Sequence, residues 1–252
     1  MPLTDDVINR LRSMIQSGEL PPGSRLPPEH QLALQMGISR SGVREAVKTL
    51  ASARVLDVRR GDGTYVTSLA PHLLLEGIGF AFELLQGDTL LEVMEVRRLL
   101  EPPATAMAAA RMSAEQLDGI TAVMEQMRVH MGDAEELLKL DITFHRLVVM
   151  AAGNETLTTL LDGLSGRTAR ARVWRGVVLG DAARATIDEH QAILNALQSR
   201  DQLLAQATAL VHVNTSEAWL RRMLNHPSPN RVDALVPASD RRKDDALADN
   251  LA

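Results

Sequence analysis

Hydrophobic and polar positions follow helical spacing along nearly all of this chain and strand spacing in one place. Val7, Ile8, Leu11 and Ile15 fall on one side of a helix that Thr4 is placed to cap and Gly18 to stop. "ELPPGSRLPP" reads as a rigid Pro/Gly connector, and "EHQLALQM" as a short helix ending at Gly37. After a tight turn, Ser39 caps a third helix, "RSGVREAVKTLAS", whose Val43, Ala46, Val47 and Leu50 share one face. The period then changes: "VLDVRR" and "TYVTSL" are β-prone runs flanking "GDG", which predicts a hairpin. Helix, two tightly joined helices and a hairpin is the order of a winged helix-turn-helix, expected over residues 1–70.

Beyond it the pattern is helical, with helices expected near 72–86, 88–111, 114–131, 133–152, 155–177, 182–198 and 201–224. Ser113 with Gln116 spells a capping box, Asp133 is an N-cap, and Gly153 closes the helix before it. The expected fold is therefore mostly α: a winged head, then an all-helical bundle of about six to seven helices over residues 71–225. Residues 226–252 lack apolar periodicity and read as a disordered tail.

Composition narrows the function. Hydrophobic residues make up 45 % of the chain but aromatics only 2 %, so the apolar share is helix-forming Leu, Ala and Met, mixed with Val and Ile. The absence of cysteine excludes disulfides, thiolate metal sites and cysteine nucleophiles. "MPLTDDVINR" has no apolar signal core and no segment has the length of a membrane span, so a soluble, cytoplasmic protein with no membrane partner is expected. The net charge of −5 is uneven: residues 1–67 hold nine Lys/Arg against seven Asp/Glu, and the rest carry the acidic excess. A mildly basic head is compatible with nucleic acid but does not establish it.

The third helix opens with Ser39, Arg40, Ser41 and Gly42, followed by Arg44. In a helix-turn-helix this turn enters the major groove, where arginine binds guanine O6 and N7 or holds a phosphate. Arg40 and Arg44, four apart, share a face, and Gly42 permits close approach. Solvated surface arginines would have the same spacing.

Histidine is scarce, seven in all, which makes its placement informative. "DITFH" puts Asp141 and His145 on one face of a helix that otherwise reads as buried. His190 and His212 lie on two later helices whose separation suits an antiparallel pair. Three imidazoles and a carboxylate at the centre of a bundle describe a metal site. Core histidines with hydrogen-bonded rings, and a structural Asp–His pair, describe the same residues.

Two resemblances bear on these alternatives. "GELPPGSRLPPEHQLALQMGISRSGVREAVKTL", with the later "VLDVRRGDGTYV", resembles the N-terminal domain of GntR-family transcriptional regulators. The resemblance implies base and phosphate contacts from Arg40 and Arg44, supported by Ser39, Ser41 and Gly42. It also implies a wing tip of Arg60, Gly61, Gly63 and Thr64 approaching the minor groove or backbone. His30 departs from the family pattern, which has arginine there, and implies a weaker or pH-dependent contact.

Residues 92–222, through "EVRRLLE", "DITFHRLVVMAAGN", "DEHQAILNAL" and "LVHVN", are similar to the FCD ligand-binding domain of the FadR-type branch. That resemblance implies a divalent metal held by Asp141, His145, His190 and His212. The donor set suits zinc foremost, with nickel, manganese or iron as alternatives, and leaves positions for a small organic acid. Arg97, four residues before Glu101, is the expected counter-charge for that acid, with Asn154, Trp174 and Thr186 along the pocket wall; a structural salt bridge between Arg97 and Glu101 is the competing reading.

The implied protein is a homodimeric DNA-binding regulator, expected to be a repressor of a pseudo-palindromic operator controlled by a small carboxylate or sugar acid. The rival reading is a metal-dependent hydrolase using the same His/Asp site. Against it, no general base is placed like the Glu of a zincin motif, and no Gly-rich phosphate loop is present.

Overall fold

The structure is a computed structural model that describes residues 2–77, 89–165, 168 and 182–225. The expected tail, and parts of the helices expected at 72–86 and 155–177, lie outside the described residues. The fold is mostly α, with a winged helix-turn-helix followed by a helical domain, and it separates into units spanning residues 1–78 and 79–252.

The first unit contains α1 (Pro2–Gln16), α2 (Glu29–Met36), α3 (Arg40–Ser52), β1 (Leu56–Arg59), β2 (Gly63–Val66) and the short α4 (Pro71–Leu74). Helix α1 begins at Pro2, so Thr4 lies inside its first turn and is not its cap. Proline is favoured at the start of a helix, where a missing N–H leaves no bond unmade. Gly37 closes α2 with φ of 68°, its N–H reaching the carbonyls of Ala33 and Leu34. Ser39 then caps α3, its side chain accepting from Gly42 N–H. Val7, Leu11, Leu32, Val43, Val47 and Leu50 meet in one core with Leu56 and Val66 from the base of the hairpin.

The hairpin pairs antiparallel, Leu56 opposite Val66 and Arg59 opposite Gly63. The connector does more than its composition implies. Gly23 N–H and Leu26 N–H donate to the carbonyls of Val66 and Thr64, and Val66 N–H donates to Ser24, covering the outer edge of β2. Arg25 extends along this edge, its Nη2 donating to the Asp62 carbonyl at the wing tip.

The second unit contains α5 (Thr89–Arg111), α6 (Ala114–Val129), α7 (Ala134–Ala151), α8 over residues 155–165, α9 (Ala182–Gln198) and α10 (Gln202–Asn225). The capping box at Ser113 and Gln116 and the Asp133 cap form as the spacing predicts. Gly153, with φ of 67°, follows the end of α7. Helices α5 and α10 run antiparallel: Leu90 and Met94 near the start of α5 meet Val213 and Leu220 late in α10. Ala108 and Ala109 near the end of α5 share the main core with Ala205 and Ala209. Pro102 and Pro103 lie within α5, where each removes a backbone donor, yet the helix continues through them. Among the described residues no helix is long and apolar enough to cross a membrane.

Gly63 sets the wing. Its φ is 153°, and a Cβ there would stand 2.5 Å from Arg25 Nε. Gly63→Ala is expected to displace Arg25 and to destabilise the first unit by about 1–3 kcal/mol, measured by urea titration. An unchanged midpoint would show that the wing tolerates a side chain at this position.

Candidate metal centre and nucleic-acid interface

The buried face of α7 runs through Leu137, Asp141, Phe144, His145, Val148 and Val149, so an apolar stripe is interrupted by one carboxylate and one imidazole. His190 on α9 and His212 on α10 are buried as well. The structure brings all four expected metal residues together. His145 Nε2 and His190 Nε2 are 3.2 Å apart, and Asp141 Oδ1 lies 3.9 Å and 3.7 Å from them. His212 completes the group, with one ring nitrogen from each of the three histidines inside a 4.8 Å cluster.

These residues fit a divalent cation. Ligand atoms about 2.0–2.2 Å from one ion stand roughly 3–3.5 Å apart, close to the observed spacing. His212 Nδ1 is 2.9 Å from Glu189 Oε2, which favours a proton on Nδ1 and leaves Nε2 as the lone-pair nitrogen. That Nε2 is buried and makes no hydrogen bond among the described residues. A carboxylate behind an imidazole is how proteins orient and strengthen a histidine ligand. His145 has a similar neighbour, Glu101 Oε2, 3.8 Å from its Nδ1.

Arg97 is 0 % exposed. Its Nε and Nη2 donate to Glu101 at 2.6 Å and 3.0 Å, and its Nη1 donates to Thr168 Oγ1 at 2.9 Å. Glu101 therefore stands between Arg97 and His145. The expected counter-charge is in the right neighbourhood, but already neutralised by a carboxylate on its own helix. Thr186 is half-buried, one turn before His190 on the same side of α9. Asn154 is exposed and its Oδ1 accepts from Leu157 N–H, so its polar group caps α8 and does not line the buried cluster. Trp174 lies outside the described residues.

In the first unit Arg40, Ser41 and Arg44 are exposed on α3, and Gly42 is half-buried. A Cβ at Gly42 would meet only Ser39 Oγ, at 3.4 Å, so packing does not demand glycine there. Ser39 Oγ serves the cap and lies 3.0 Å from Ser41 Oγ. Arg44 is not simply solvated. Its Nε and Nη2 grip Glu29 on α2, at 3.2 Å and 2.8 Å to Oε2, and this hydrogen bonding raises the pKa of the guanidinium further. Arg60 and Gly61 form the exposed wing tip, Gly63 and Thr64 are half-buried beneath it, and His30 is exposed on α2.

Three carboxylate or hydroxyl partners escaped the reading from sequence: Glu29, Glu189 and Thr168. Glu189 carried a faint signal, adjacent to His190, whereas Glu101, one turn from Arg97, was visible as its salt-bridge partner. Glu29 and Thr168 carried none, because each meets its arginine from another part of the chain.

Residues 3–66 match the family model of bacterial regulatory proteins, gntR family, and residues 92–215 match that of the FCD domain. Among relatives, the HTH-type transcriptional regulator LutR of Bacillus subtilis strain 168 is 29 % identical over 209 residues, covering 81 % of this chain and 94 % of LutR. The galactonate operon transcriptional repressor of Escherichia coli K12 is 28 % identical over 227 residues, covering 87 % and 97 % of the two chains. Among solved structures, a GntR protein of Streptococcus agalactiae is similar with a TM-score of 0.59 and 28 % identity, over 85 % of this chain and 99 % of that one.

The Arg97–Glu101 pair makes a sharp expectation. Arg97→Met alone or Glu101→Leu alone strands a buried charge and should destabilise the second unit by about 3–5 kcal/mol. The double variant should cost far less than the sum of the two. Urea titrations in the presence of chelator measure all three, and additive losses would mean that the two side chains act independently.

Proposed function

The chain belongs to the gntR family of bacterial regulatory proteins and carries an FCD domain, and we propose that it is a repressor released from operator DNA by a small carboxylate or sugar acid bound at a divalent-metal centre. It is a transcriptional regulator and not an enzyme, which sets aside the hydrolase reading. The observation that carries the proposal is the convergence of Asp141, His145, His190 and His212 in a buried cluster, with the Glu189 carboxylate 2.9 Å from Nδ1 of His212. Zinc suits this donor set foremost, with nickel, manganese or iron as alternatives.

The bound cation would supply a Lewis-acidic anchor for a carboxylate. The chain's own residues would do the rest. Arg97 offers a second positive charge, but an anion gains it only by drawing it away from Glu101. Glu101 in turn has His145 Nδ1 within 3.8 Å as an alternative partner. Binding of an acid and repositioning of Glu101 would then be one event, with Thr186 on the adjoining wall. The name of the galactonate operon repressor supports a sugar acid and the repressor sign. The effector's leverage over DNA binding equals its difference in affinity for the two states, tenfold for about each 1.4 kcal/mol.

On the DNA side, Arg44 would read a base while Arg40, Ser39, Ser41 and the amide of Gly42 hold phosphates. Arg60, Gly61, Gly63 and Thr64 would place the wing against the backbone, with His30 as a peripheral contact. Two heads on a homodimer would bind two half-sites in the cytoplasm.

Two experiments test this reading. Protein purified without an affinity tag should contain about one divalent metal per chain by elemental analysis, and none after His190 and His212 are both replaced by Ala. Galactonate and other small carboxylates should raise its melting temperature, by an increment of about 2.7 kcal/mol in stability at a hundredfold excess over Kd, and only when metal is present. A shift that survives chelation would put the acid elsewhere. Separately, Arg44→Ala should cost about 1–3 kcal/mol on duplexes that the wild-type protein enriches from a random pool, with little loss on scrambled duplex. Equal loss on both would make Arg44 a phosphate contact.

A further inference from the structure

Two arginines one turn apart on α3 are in different states. Arg40 makes no ion pair among the described residues, whereas Arg44 is held by Glu29 through two nitrogens. Both partners are substantially exposed, 58 % for Arg44 and 40 % for Glu29, so burial does not force the pair together. Packing brings them into register. Glu29 is the first residue of α2, and Leu32 and Ala33 one turn later are buried in the core that also takes Val43 and Val47 of α3. Pro27 and Pro28 immediately before it restrict the backbone from which the carboxylate projects.

We propose that Glu29 is a specificity-determining residue of the DNA interface: it positions Arg44 to bind guanine and makes Arg44 a poor phosphate ligand. The proposal rests on the base-reading role given to Arg44 above.

The chemistry follows from counting donors. A guanidinium has five N–H groups. The carboxylate of Glu29 takes the edge made by Nε and Nη2, which leaves Nη1 and the outer hydrogen of Nη2 directed away from α2. That outer edge is the fork that meets guanine O6 and N7. A neutral base edge can accept from it with Glu29 still in place. A phosphate brings a second negative charge beside the carboxylate and is repelled. Arg40, with no such partner among the described residues, is available to a phosphate of the backbone. One helix face therefore carries a reader and a clamp, distinguished by a residue on a different helix.

The test compares Glu29→Gln, Arg44→Ala and the double variant with wild type, on duplexes enriched from a random pool and on scrambled duplex. For Glu29→Gln the ratio of enriched to scrambled affinity should fall at least ~tenfold, with guanine enrichment flattened at one position per half-site. The salt dependence of its binding should steepen by about 0.9 in log–log slope per head, as Arg44 becomes a phosphate contact. Arg44→Ala should lose the same guanine, and the double variant should discriminate no worse than Arg44→Ala alone. If Arg44→Ala enriches the wild-type sites, base reading by Arg44 and the proposal fail together. If Arg44→Ala loses the guanine but Glu29→Gln keeps both the sites and the ratio, base reading stands and Glu29 is not its determinant. A uniform gain on all DNA would make Glu29 a mask, and a uniform loss with a lowered melting temperature would make it scaffold. Either result overturns the proposal.

Discussion

The second unit is organised around the cost of burying polar groups where helices meet. Asp141, His145, His190 and His212 are all buried, and so are Arg97 and Glu101 beside them. An apolar interior tolerates such groups only when each finds a partner, because an unmatched charge or lone pair there forfeits its hydration. Glu101 answers Arg97, and Glu189 answers one nitrogen of His212. The ring nitrogens of His145, His190 and His212 are gathered with the Asp141 carboxylate beside them, a donor set that a divalent cation would suit. The antiparallel helices α5 and α10 carry Glu101 and His212, while α7 carries Asp141 and His145 and α9 carries His190.

The head meets a related problem at its surface. Arg44 is oriented by Glu29, and Arg25 is tied to the wing-tip carbonyl of Asp62. Exposed pairs contribute about 0–1 kcal/mol to stability, so their value lies in direction more than in strength. The buried Arg97–Glu101 pair is the opposite case. Its partners cannot be separated without a replacement for each, which is why an anionic ligand and the nearby ring of His145 are natural substitutes. The same two residue types thus pair at the surface of one unit and in the interior of the other.

Much of this was legible in the sequence, and the exceptions have physical causes. Helical periodicity placed α2, α3 and the bundle helices, and the Ser39, Ser113, Asp133, Gly37 and Gly153 boundaries follow from local backbone chemistry. The four candidate metal residues stood out because histidine is rare here and Asp141 and His145 break an apolar stripe, but it was the resemblance to the FCD domain that joined them into one set. Thr4 misled because Pro2 could start the helix earlier. The connector's pairing with β2 was hidden, since its Pro and Gly residues argue against a strand while its remaining N–H groups stay available. Asn154 looked like a pocket residue because it follows the helix of Asp141 and His145, yet that same position makes it the cap of the next one. Glu29 and Glu189 were overlooked for a shared reason. A carboxylate on a helix is ordinarily solvated, and only the packing of a second element shows which one has been given an arginine or an imidazole to hold.

Anomalous diffraction from crystals of untagged protein, grown without added metal, addresses the centre of this account most directly. The expected result is one strong peak in each chain, within about 2.0–2.2 Å of the Nε2 atoms of His145, His190 and His212. Well-ordered crystals with no peak there, and with the three imidazoles hydrogen-bonded to one another or to water, would contradict it.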